Sequence, residues 1–292
     1  MKLVTFRENG DWIAGAVIDD NIYRLSTALV NDPEAGDVST VRALLDGNGR
    51  RLEKIAQLVE AAVQDGLAPS TTFADATLGA PVPNPAKVLC IGLNYSDHVA
   101  ETGRALPQYP DVFPKFATSL LGPRDPIGGR DVTDQLDFEG ELAIVIGRTA
   151  KNVSEDDALD YVAGVTVLND ITARDLQYRG TQWLMGKAVD ASTPSGPALV
   201  TLDEVGDIQD VDITTHVNGE LMQSSNTKNM IFPIRTVVSY LSRTITLEPG
   251  DIIATGTPEG IGAKRTPPVW LQSGDEVTVS LSRVGVLSSI VG

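Results

Sequence analysis

Asp137, Glu139 and Glu141 stand at alternate positions directly ahead of the apolar run 142–146. Side chains alternate between the two faces of a strand, so the three carboxylates are expected on one face, with Phe138, Gly140 and Leu142 on the other. Like charges about 7 Å apart on a partly buried face are unfavourable unless a cation, protons or open water compensates them. A hard divalent ion held through oxygen, Mg²⁺, Mn²⁺ or Ca²⁺, is one answer, and the wet end of an ordinary strand is the other. Asp170 closes a second apolar run, 161–168, and is placed to be a third ligand for such an ion.

Other residues invite chemistry in pairs. His98 and Glu101 lie three apart, so on a helical turn they face one side, where the carboxylate can hold the imidazole or both can hold one water. A plain surface pair is the competing reading. Arg174 and Gln177 have the same spacing and can point a guanidinium and an amide into one pocket. Lys187 sits in a mostly apolar stretch, as a snorkelling lysine or an anion binder. The run 255–262, Thr-Gly-Thr-Pro-Glu-Gly-Ile-Gly, allows close backbone approach and offers N–H groups and the Thr257 hydroxyl to an anion, unless it is a simple tight turn. No Lys-Ser/Thr pair follows its glycines, so it is not a phosphate loop. Cys90, the only cysteine, reads as a small core residue, and His216 as a structural one.

Elements must place these groups. Residues 1–30 alternate between turn signals and predict a small β meander; 25–66 change to a helical period through Val41, Leu44, Leu45, Leu52, Ile55, Leu58, Val59 and Ala62. Three prolines within 81–85 mark an extended connection and a boundary between domains 1–80 and 85–292. Residues 104–114 have no period and predict a loop over a ligand. Ser154 opens a capping box for a short helix, and the remainder is β-rich. The chain has 292 residues, 42% hydrophobic and 21% charged, enough to bury a full core. No apolar run reaches a membrane span and the start lacks a secretory segment, so a cytoplasmic protein is expected. With 39 acidic against 23 basic residues and a net charge of −16, nucleic acid and anionic membranes are poor partners, and an anionic substrate would need locally gathered cations.

Together, 92–95 (Gly-Leu-Asn-Tyr) with His98 and Glu101, the acidic strand 137–142, 169–175 (Asn-Asp-Ile-Thr-Ala-Arg-Asp), Gly186-Lys187 and 255–258 closely resemble the fumarylacetoacetate hydrolase superfamily over about residues 85 to 292. Segments 114–118, 217–220, 223–227 and 265–269 look closest to its domain-containing protein 2 type, linked to oxaloacetate enol–keto tautomerisation. The resemblance implies an α+β, β-rich fold, a mixed β-sandwich roll, with a small N-terminal α/β domain. It implies a catalytic part that is usually a homodimer and holds Mg²⁺ or Mn²⁺ through Glu139, Glu141 and Asp170, with Asp137 behind them. Arg174, Gln177, Lys187 and Thr257 match substrate-binding positions, while His98 and Glu101 match the pair that activates water or carries a proton. Lys187 would also serve catalysis, as fixed positive charge. The leading expectation is a metal-dependent hydrolase of acylpyruvate or 1,3-diketo acid C–C bonds. The alternative is an oxaloacetate decarboxylase or keto–enol tautomerase using the same site, and a further one is a non-catalytic binder of oxo acids or divalent cations.

Overall fold

The computed structural model describes residues 1–30, 32, 35–45 and 50–292, residue 50 by its backbone alone. Its centre is the strand Gly140–Ile146, buried at every position. Even-numbered Leu142, Ile144 and Ile146 belong to one apolar core, and Ala143 and Val145 to another. That double burial explains why the stretch reads as a continuous apolar run instead of an alternating one. It pairs antiparallel with Val162–Asn169 on one side and with Ile252–Ala254 on the other. Beyond Ile252–Ala254 lie Val88–Gly92, parallel to it, and then the edge strand Asp111–Lys115.

Beyond Val162–Asn169 the sheet continues through Thr193–Thr201 to the expected meander, Lys2–Glu8, Asp11–Ile18 and Asn21–Arg24, giving a mixed sheet of 11 strands. A second, antiparallel sheet of four strands, Glu220–Asn226, Asp212–Val217, Glu276–Leu281 and Gly285–Ile290, covers one face. Ile213, Val279, Leu281 and Leu287 of this sheet pack into the core with Leu142, Ile144, Val165 and Val167. Each such side chain, fully buried, contributes about 1.5–3 kcal/mol. Helices Val41–Leu45 and Arg50–Gln64 place Leu44, Leu52, Ile55 and Val59 over the opposite face. The result is a β-rich α+β sandwich with its small N-terminal α/β part attached through the large sheet. No helix among the described residues is long and apolar enough to cross a membrane.

Three local readings change. Asp137 does not share a strand with Glu139 and Glu141: Leu136–Asp137 pairs with Thr172–Ala173 in a separate ribbon, and the central strand begins at Gly140. Residues 111–115 are a strand and not loop, because their pairing with Val88–Gly92 is nonlocal and leaves no alternation to read. The helix after Ser154 is a single 3₁₀ turn, Ala158–Tyr161, although the Ser154 hydroxyl does accept the Asp157 N–H at 3.2 Å as a cap should.

Candidate active site

Parallel pairing of Val88–Gly92 with Ile252–Ala254, and antiparallel pairing of the latter with Gly140–Ile146, brings three chain segments to one end of the sheet. The segments leaving the two parallel strands meet the start of the central strand there. Asn94 ties them together, its amide N–H groups donating to Thr255 O at 2.8 Å and Phe232 O at 3.1 Å. Register does the rest. Asn169 lies opposite Gly140, the Asp170 N–H donates to Glu139 O at 2.8 Å, and the Glu139 N–H donates to Asn169 Oδ1 at 3.0 Å. Glu139, Glu141 and Asp170 thus converge, each with one oxygen within 4.8 Å of the others. Gly140 between them is required by packing, since a Cβ there would run into Thr215 Oγ1 and Val279 of the second sheet.

Cations brace this trio. Lys187 Nζ donates to Glu139 Oε2 at 2.8 Å and to Asp170 Oδ2 at 2.7 Å, and Lys115 Nζ donates to Asp170 Oδ1 at 2.6 Å. Arg174 Nε donates to Asp137 Oδ2 at 2.8 Å. Its Nη2, buried in the site, is 2.6 Å from Glu139 Oε1 and completes a second ion pair. Burial opposes the charge of Lys187, but Asp170 and Glu139 outweigh it and hold the ammonium above the usual lysine range. Asp137 and Glu139 likewise overcome burial at Arg174. Burial would raise Glu139, yet Lys187 and Arg174 hold its carboxyl well below the ordinary range.

Glu141 differs. Burial, then Asp170 and Glu139, push its carboxyl well above that range, and its hydrogen bond is the Gly256 N–H at 2.8 Å. Four buried carboxylates, Asp137, Glu139, Glu141 and Asp170, face three buried cations, Lys115, Arg174 and Lys187. The carboxylate left without a cation belongs to the trio, and an all-oxygen donor set with surplus negative charge suits a hard divalent ion. Asp137 is unsuited to that role, because Oδ1 accepts from Phe138 and Gly262 N–H, and Oδ2 from Arg174 and Ala263 N–H.

His98 and Glu101 lie on the helix Ser96–Thr102. Glu101 Oε1 is 2.6 Å from His98 Nδ1, while Oε2 accepts the Gly260 N–H at 3.0 Å. A proton on Nδ1 is thereby favoured and Nε2 is left to exchange one. A cleft gathers His98, Glu139, Glu141, Arg174, Gln177, Lys187 and Thr257 along its lining. Gln177 Oε1 accepts from Arg174 at 3.1 Å, leaving its NH₂ group without a protein partner among the described residues. Thr257 is more committed: its hydroxyl donates to Gly140 O at 3.0 Å and accepts from Gln223 Nε2 at 2.8 Å, so toward a ligand it has one lone pair to offer. Glu101 is set behind His98, and Asp170 is fully buried.

Several roles were not read from the sequence. That of Lys115 is one, signalled by a charge within the apolar stretch Val-Phe-Pro-Lys-Phe and lying in the matched segment 114–118, but given no part in the site. Others are Asp137 as anchor of the 262–263 backbone, Gln223 as support for Thr257, and the edge-to-face pair Phe113 and Trp183, whose ring centres are 5.5 Å apart at the mouth.

A mixed sandwich with a buried carboxylate trio at one end of the sheet is the setting of the match: residues 87–291 match the family Fumarylacetoacetate (FAA) hydrolase C-terminal, and the chain belongs to that family. Oxaloacetate tautomerase fahd2, mitochondrial, of Xenopus laevis is 46% identical over 217 residues, covering 74% of this chain and 68% of its own. Oxaloacetate tautomerase YisK of Bacillus subtilis is 44% identical over 225 residues, 76% of this chain and 75% of its own. Among solved structures, maleylpyruvate hydrolase from Sphingobium sp. SYK-6 in complex with manganese (II) ion and pyruvate superposes with a TM-score of 0.79 at 32% identity, covering 100% of this chain and 98% of that one.

Proposed function

We propose that this chain is an enzyme catalysing the enol–keto interconversion of a 2-oxo acid of the oxaloacetate class. The observation that carries this reading is the imidazole of His98, fixed by Glu101 in the same cleft as the trio Glu139, Glu141 and Asp170. The sequence alone led with C–C hydrolysis; the similarity to two proteins named oxaloacetate tautomerase moves the weight to tautomerisation.

Glu139, Glu141 and Asp170 would hold Mg²⁺ or Mn²⁺, with Ca²⁺ also compatible with an oxygen donor set, and the bound ion would supply Lewis acidity toward the 2-oxo oxygen. The substrate carboxylate is drawn to the Arg174 guanidinium at the cleft lining, and Gln177 donates its NH₂ group beside it. Lys187 stays protonated and adds fixed positive charge in a buried setting, where it stabilises an enolate most. Thr257 accepts through its remaining lone pair. In ketonisation the ring of His98, protonated on both nitrogens, delivers its Nε2 proton to C3 as the C2–C3 double bond closes onto it; the enol O–H proton passes to solvent water and Nε2 then regains one from water, so the proton count is unchanged. Glu101 stabilises the imidazole through Nδ1 as the charge on the ring rises and falls. The same reading takes the ligand to be a small molecule and the chain to act as a cytoplasmic homodimer, the charge of −16 favouring neither nucleic acid nor membrane.

The test is ketonisation of enol-oxaloacetate with Mg²⁺ or Mn²⁺ present, followed in the ultraviolet, with pyruvate measured alongside to reveal decarboxylation. His98→Asn is expected to lower kcat by about 10²–10⁴-fold while leaving ion binding intact. A loaded wild-type enzyme that does not accelerate ketonisation overturns the reading. Acylpyruvate hydrolysis is the second reading, favoured by the likeness to maleylpyruvate hydrolase along the whole chain, and acetylpyruvate cleavage in the same assay would establish it.

A further inference from the structure

The cations of the cleft fall into two groups. Inside, Arg174, Lys187 and Lys115 are all paired with protein carboxylates. Outside, a vestibule opens beside the cleft and shares Thr102, Arg104, Arg174 and Tyr178 with it. The vestibule adds Lys264, and no carboxylate lines it. That absence stands out in a chain with 39 acidic and 23 basic residues. Among the described residues neither Arg104 nor Lys264 has an ion-pair partner or a side-chain hydrogen bond. Arg104 is nevertheless placed, its guanidinium 5.6 Å from the ring centre of Trp183. Stacking on the indole holds the planar fork at the mouth and leaves its N–H groups free.

Two cations without counter-ions beside a third, Arg174, form a local positive field in an otherwise repulsive surface. Inside the cleft, one carboxylate and the 2-oxo group of a substrate already account for Arg174, Gln177 and the trio. We propose that Arg104 and Lys264 are specificity-determining residues that receive a second, remote carboxylate, so that the enzyme selects 2-oxo dicarboxylic acids over monocarboxylic ones. This rests on the 2-oxo acid reading above and names its substrate class. Charge-assisted, bidentate pairing with Arg104 supplies orientation as well as attraction, and a monoacid of equal length leaves both cations as they are in the free enzyme.

The experiment compares the Mg²⁺-loaded wild type with Arg104→Gln, Lys264→Gln and the double variant. One arm measures kcat/KM for ketonisation of enol-oxaloacetate and of the mono-anionic enol of phenylpyruvate. The other measures binding of 2-oxoglutarate and 2-oxopentanoate by calorimetry. The double variant is expected to lose about tenfold of the diacid-to-monoacid preference in both arms, each single variant a part of it, and Arg104→Lys is expected to regain some. A structural defect would lower both substrates together, so an unchanged ratio overturns the proposal, as does a wild type with no diacid preference. A wild type that binds the diacid in an Arg104-dependent way but ketonises neither enol keeps this proposal and removes the tautomerase. Ketonisation with a ratio indifferent to both residues does the reverse.

Discussion

At the scale of single residues, the surplus carboxylate is the informative one. Glu141 makes no ion pair among the described residues, and burial with Asp170 and Glu139 raises its pKa well above the ordinary carboxylate range. A divalent ion entering the trio is then expected to displace a proton. The sign follows: lowering the pH through the raised pKa of Glu141 favours the proton, and apparent ion affinity is expected to fall by up to about tenfold per pH unit. Calorimetric titration with Mn²⁺ in two buffers of different ionisation enthalpy would detect the released proton, and ion binding indifferent to pH would count against Glu141 as its source. Glu141→Gln is expected to abolish that proton release and weaken binding. The trio was legible only in part: alternation offered Asp137 beside Glu139 and Glu141 and the strand end offered Asp170, both local patterns, while the resemblance to the family set Asp137 behind the others. The role of Lys115 and the anchoring role of Asp137 were not legible, since their partners lie 55 residues away at Asp170 and 125 residues away at Gly262.

At the scale of elements, the site depends on how closely the two sheets approach. Gly140 is where the second sheet presses against the first, and a methyl group there would have to move Thr215 or Val279. Gly140→Ala is expected to cost about 1–3 kcal/mol and to displace the flanking carboxylates, reducing ion affinity along with the melting temperature. Adding Val279→Ala should restore part of both; a single variant as stable as wild type would show that the sheets have slack. The meander was readable from its turn signals, although Lys2–Glu8 buries both faces, and the helical period of residues 41–64 was readable from spacing. Strand Asp111–Lys115 was not, as its partner Val88–Gly92 is recognised only in three dimensions.

At the scale of the whole molecule, Lys2–Glu8 pairs directly with Thr193–Thr201, so the N-terminal meander is hydrogen-bonded into the large sheet. Calorimetry is expected to show one cooperative unfolding transition, and two separated transitions would mean that the N-terminal part melts alone. Ion removal should shift that transition. At 100 times the dissociation constant an ion that binds only the folded state adds about 2.7 kcal/mol, so chelation should lower the midpoint by several degrees. The boundary at residues 81–85 is legible in the prolines as a connection, whereas the shared sheet depends on pairing across almost 200 residues. The inward cations are locked to carboxylates that flank the strands at the molecule's centre, while Arg104 and Lys264 are exposed and make no ion pair or side-chain hydrogen bond among the described residues, Arg104 resting on Trp183 alone. Mutation therefore meets two landscapes in one cleft: a steep one, where almost any change unbalances the charge set, and a shallow one at the rim. Descendants of this chain could acquire new substrates through a few rim replacements without passing through an unfolded ancestor.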